Sequence, residues 1–129
     1  MTPELKWLAL TAVLTALMWI PYILNLISVR GMMGAMGYPQ DPEPMAEWAS
    51  RLKQAHYNSV ENLVVFGILV IVAHLADIHT SWTVTACIVY FWARLVYAFI
   101  YAMGIAVART LVFAVSWLCI LVLAVTVLT

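Results

Sequence analysis

Apolar residues in this chain come in long runs, broken by short polar stretches. The first run extends from about Leu5 to Val29. At ~1.5 Å per residue it can cross a ~30 Å hydrocarbon layer with some tilt. It is too long for a signal-peptide core and carries Glu4 as well as Lys6 ahead of it, so it reads as a retained helix. Pro21 is expected to kink it. Glycines 31, 34 and 37 and prolines 39, 42 and 44 then predict a loop from Gly31 to Glu47. A second helix begins near Met45–Trp48. Its first part is polar, and its second, Leu63–Ala76, is apolar but too short to span alone. The polar part is therefore expected to enter the membrane, shielded by other helices. After a turn at Asp77–Thr80, a third helix runs to about Met103 with one charge, Arg94, near its middle. Beyond a break at Gly104 and then Arg109, the last run covers Thr110–Leu128. The pattern predicts an all-α membrane protein, a four-transmembrane-helix bundle forming a single domain, with helices over about 3–29, 46–76, 81–104 and 107–128.

Composition agrees. Hydrophobic residues make up 66% of the 129, and charged residues only 9%, against roughly a quarter charged in soluble domains. The net charge of zero gives no reason to expect nucleic acid as a partner. No metal-ligand cluster or phosphate-binding loop is present. Cys87 and Cys119 lie in apolar runs and read as packing residues. Arg30, Arg51, Lys53 and Arg109 flank the first and third loops, while Lys6 stands alone on the other side. That asymmetry predicts cytoplasmic first and third loops with both termini outside. Short loops and the lack of a C-terminal retention tail point to a bacterial inner membrane.

Two polar stripes stand out. Residues three or four apart share a helix face. Arg51, Gln54, Asn58 and Asn62 form one stripe on the second helix, with Glu61 at its edge and His56 nearly opposite. Tyr90, Arg94, Tyr97 and Tyr101 form another on the third helix. Counting back from the Asp77–Thr80 turn at ~1.5 Å per residue puts Glu61 and Arg94 at about the same depth. They are expected to pair, as buried charges must. Asn58 comes level with Tyr97, and Gln54 with Tyr101, leaving a polar slot rimmed by Arg30, Arg51 and Arg109. Structural readings stand beside this one: an ion pair that only stabilises, Asn58 as interhelical glue, and tyrosines that only pack. His56, His74 and His79 are not expected to be ligands.

The segment from Arg51 to Phe66, with its basic residues and Asn58-x-x-Glu61 ahead of an apolar run, resembles the signature of the MAPEG family, the membrane-associated proteins in eicosanoid and glutathione metabolism. Arg94-x-x-Tyr97-x-x-x-Tyr101 resembles that family's third-helix motif, and the order and layout agree over essentially the whole chain. The resemblance implies a homotrimer with three sites between subunits near the cytoplasmic side. Glutathione would bind there as co-substrate, and its arginine-stabilised thiolate would attack a lipophilic electrophile or reduce a lipid peroxide. By position, Asn58 and Glu61 match residues that hold the tripeptide's backbone and amine. Arg94 matches the partner of that Glu, Tyr97 and Tyr101 match third-helix contacts, and Arg30 matches the cation ending the first helix. Arg109 is the candidate for the thiolate-stabilising arginine. Gln54 departs from the pattern, standing where catalytic members carry an arginine that grips a carboxylate. Tyr57 replaces an arginine of the prostaglandin synthase branch.

The expected function is a membrane glutathione transferase with peroxidase capacity, acting on lipophilic small molecules from the bilayer. A non-catalytic lipid-binding or scaffold protein of the same fold is the alternative, and a subunit of another membrane complex is a third reading.

Overall fold

The computed structural model describes all 129 residues, as five helices that make four passes. They are α1 (Pro3–Leu17), α2 (Trp19–Met36), α3 (Glu47–Leu75), α4 (Ser81–Met103) and α5 (Ala106–Leu128). Four helical spans, Pro3–Met36, Glu47–Leu75, Ser81–Ala102 and Ala106–Leu128, are long and apolar enough to cross a bilayer. With no strand and large apolar side chains such as Val64, Ile68, Phe99, Leu111 and Val125 exposed on the outer faces, this is an integral multi-pass membrane protein.

The first pass is broken between α1 and α2, at Met18. The cause is Pro21, four residues after the last residue of α1. A proline ring clashes with the carbonyl four residues back and leaves it without a donor. Pro21 itself sits in the first turn of α2, where no N–H is needed. The helix is expected to end near Val29, but helical turns continue to Met36 across an interruption at Gly31. There φ is +74° and ψ is 168°, a conformation open to glycine alone. The loop that follows is tied down at two points. Arg30 Nε donates to the Glu43 carbonyl at 2.6 Å, and the Ala46 N–H at the start of α3 donates to Asn25 Oδ1 at 2.9 Å.

α3 has 29 residues, or about 44 Å of helix, against a hydrocarbon layer of ~30 Å. About twenty residues ending at Leu75 fill that layer. The polar stretch therefore divides: Glu47 to about Ala55 stands at headgroup level, while Asn58, Ser59, Glu61 and Asn62 lie within the membrane.

α4 is the central helix. Its buried positions Thr83, Ala86, Cys87, Tyr90, Ala93, Arg94, Tyr97 and Ala98 recur at helical spacing, and it packs against α1, α3 and α5. The core has two apolar halves. Near the 77–80 turn, Phe66 stacks on Tyr90 with ring centroids 3.8 Å apart, beside Val70, Cys87, Ile120 and Leu123. Near the other end, Met18, Tyr22, Leu52, Ala55, Tyr97 and Ala98 form the second half. Both cysteines are buried and free. α4 ends at Gly104 in the left-handed conformation, φ +78°.

Candidate functional site

A polar layer lies between the two apolar halves, centred on Arg94, which is 1% exposed. Its Nη2 donates to Asn58 Oδ1 at 2.6 Å and to Ser59 Oγ at 2.9 Å, and its Nη1 donates to Ser116 Oγ at 3.3 Å. These partners come from α3 and α5, so one guanidinium ties three helices together. The expected Glu61–Arg94 pair is not made. Glu61 is exposed, and every partner of Arg94 in the chain is neutral. Depth counting was sound, since Arg94 meets residues within a turn of Glu61. The direction was not: Ser59 lies on the inward face of α3, and Glu61, two residues on, lies about 200° around the helix.

Arg94 also fixes the orientation of Asn58. A guanidinium only donates, so the amide oxygen of Asn58 must face it, and the amide NH2 must face away. Asn62 Nδ2 adds a second bond to Asn58, donating to its carbonyl at 2.8 Å. Asn58 is half-buried at the edge of the bundle, with exposed Gln54 one turn before it and exposed Glu61 one turn after. The stripe predicted on α3 is therefore real, but it faces outward along a flank, with only the Asn58 oxygen turned into the core.

The stripe on α4 continues from this layer. The Arg94 guanidinium lies 4.3 Å from the centroid of the Tyr97 ring. Tyr97 meets Tyr101 edge-on at 5.5 Å, and the Arg109 guanidinium lies 4.6 Å over Tyr101. Two cations thus bracket two tyrosines, in a ladder from the buried layer to the rim. Tyr97 is buried, and Tyr101 and Arg109 are half-buried. Tyr90, at the inner end of the stripe, is a stacking residue of the core.

Arg30 and Arg51 each make a contact within the chain. Arg30 holds the loop through Glu43. Arg51 Nε donates to the Ala102 carbonyl at 2.9 Å, closing the C-terminus of α4. Its guanidinium carbon lies 3.2 Å from where a Cβ on Gly104 would stand, so the glycine admits this contact as well as the turn. Arg51 also lies 3.7 Å from the exposed Glu47. His56 is placed away from the stripe, its Nδ1 2.8 Å from the Tyr22 hydroxyl. Sequence reasoning missed Ser59 and Ser116, small hydroxyls that carry no signal until a buried donor is found beside them.

The family model for MAPEG matches residues 7–129, essentially the whole chain. The chain belongs to the MAPEG family. Neither the curated proteins nor the solved structures compared with it give a match. Glutathione transferases are among the members of MAPEG, and other members differ in function, so membership alone assigns no reaction. In this MAPEG chain, the two motif segments on α3 and α4 meet at Arg94, which bonds both Asn58 and Ser59.

Proposed function

We propose that the protein is a membrane glutathione transferase whose site runs along the open flank of α3 and the outer rungs of the α4 ladder. One observation carries the reading. Arg94 locks Asn58 with its donors outward, in one stripe with the exposed carboxylate of Glu61, and the same Arg94 begins the ladder that ends in the Tyr101–Arg109 stack. Glutathione has two carboxylates, one ammonium group and a thiol. Glu61 suits the ammonium, and the Asn58 amide suits the peptide backbone. Tyr101 would line the slot with Tyr97 packed behind it, and Arg109 would face the sulfur. A second copy of the chain would close the flank and supply Arg30 from its own first pass, so the working unit is a homotrimer. The arginine-rich rim would face the cytoplasm, in a bacterial inner membrane.

A free thiol is mostly protonated near neutral pH, and a nearby guanidinium favours the thiolate. The thiolate attacks an electrophilic carbon, a C–S bond forms, the leaving group departs with the bonding electrons, and the thiol proton passes to water. On a lipid hydroperoxide, two glutathiones are oxidised to the disulfide while the peroxide becomes an alcohol and water. A lipophilic partner has a place to wait at the kink of the first pass. There an apolar groove of about 310 Å³, lined by Leu14, Met18, Pro21, Leu95 and Phe99 among others, opens on the neighbouring face of α4.

A second reading, lipid binding without chemistry, is favoured by Gln54. It is exposed on the same stripe, and its amide offers no charge-assisted grip on a carboxylate. Arg109→Ala separates the two. Conjugation of glutathione to a chlorinated aromatic acceptor should fall about 10²–10³-fold in kcat with glutathione binding largely kept. Equal loss of binding would reassign Arg109 to docking, and no turnover in the parent protein would favour the lipid-binding reading.

A further inference from the structure

The opposite end of the bundle holds a second polar site that the glutathione reading does not use. Glu4, in the first turn of α1, is only 3% exposed. Its Oε1 accepts from the Thr83 hydroxyl at 2.8 Å and lies 3.4 Å from His79 Nδ1. Its Oε2 is fully buried and has no partner. A buried carboxylate oxygen without a donor is costly, and this one belongs to a residue that lines an open cavity.

The surroundings indicate what belongs there. Glu4 lines a cavity of about 490 Å³ with Thr2, His79, Thr80, Ser81 and Thr85, a mostly polar set of small hydroxyl groups. The scaffold is fixed independently. The Thr80 side chain accepts from the Thr83 N–H at 3.2 Å, and the Thr83 hydroxyl accepts from the Thr80 N–H at 2.9 Å, so the start of α4 is capped before any ligand arrives. His79 links two carboxylates, Glu4 through Nδ1 and Asp77 through Nε2 at 3.5 Å. Those ring nitrogens point apart, so the three groups cannot surround one metal ion, and no metal-binding group is formed. Lys6, also at this end, is paired with no carboxylate.

We propose that this cavity binds a primary ammonium group, whose three N–H donors meet the Glu4 carboxylate and the hydroxyls around it. Its position at the end of two spans, next to the exposed Trp82, puts it at headgroup level. The ammonium would be that of an ethanolamine phospholipid or of a small amine from the aqueous side, and the same experiment distinguishes the two.

The intact protein in detergent is titrated with a short-chain phosphatidylethanolamine and with its choline counterpart, read by native mass spectrometry, and with free ethanolamine, read by calorimetry. The ethanolamine lipid should bind saturably, about tenfold or more tighter than the choline lipid, whose methylated nitrogen has no N–H to donate. Free ethanolamine binding as tightly as the lipid would support the ammonium site with an aqueous source; weaker binding of free ethanolamine would support a lipid source. Glu4→Gln should remove the selectivity. Thr85→Leu, which fills the cavity without touching the bonds of Glu4, should weaken binding while helix content and Tm stay at parent values. Equal binding of the two lipids with none of free ethanolamine, or full selectivity in a folded Glu4→Gln variant, would overturn the proposal.

Discussion

Arg94 and Glu61 lie within about a turn of each other in depth, yet their settings differ completely. Arg94 is enclosed, its two terminal nitrogens bonded to an amide and two hydroxyls from neighbouring helices, with only Nε left without a partner. Glu61 is open, on a flank with Gln54. Charge inside a membrane is tolerated where it is buried in protein or lines a cavity. The enclosed arginine meets that condition within one chain. The glutamate does not meet it within one chain. A closed polar layer holds the fold together and aims Asn58, while an open polar flank is free to recognise something.

Breaking the closed layer should have the largest effect. Arg94→Ala removes three hydrogen bonds, strands Asn58 and two serines, and leaves a cavity. It should cost about 2–4 kcal/mol in detergent unfolding. Arg94→Lys keeps the charge but not the fork, and should recover only part of that loss. A cost near zero for Arg94→Ala would mean that the layer is not structural.

Next in size is a gain on the open flank. Gln54→Arg places a bidentate donor on the exposed stripe of α3. It should tighten glutathione binding by about 1.5–3 kcal/mol, tenfold or more. No gain would place Gln54 outside the site.

The smallest effect sharpens the contrast. Glu61→Gln removes an unpaired carboxylate from the flank, so the fold should be no less stable than the parent, while glutathione binding weakens about tenfold. A large loss of stability would return Glu61 to a structural role.

Much of the fold was legible in the sequence because hydrocarbon imposes a simple rule: about twenty apolar residues per pass, with glycine and proline between. The α4 stripe was legible for the same reason, since one arginine and three tyrosines at helical spacing stand out in an apolar run. What failed was direction. Counting residues measures depth well, but a helix face is known only once its neighbours are placed, and Ser59 turned out to face inward where Glu61 was expected to. Glu4 was overlooked for a related reason. A charge just ahead of an apolar run reads as an interfacial residue, and nothing local reveals that the turn at His79–Thr83 folds over it. The kink expected from Pro21 is present, placed at Met18 because the ring acts on the carbonyl four residues back.

Glutathione is proposed to occupy the open flank of α3. Calorimetric titration of the purified protein in detergent with glutathione tests this directly. Saturable binding at or below millimolar concentration, weakened by Glu61→Gln, is the predicted result. No binding at millimolar glutathione would contradict it.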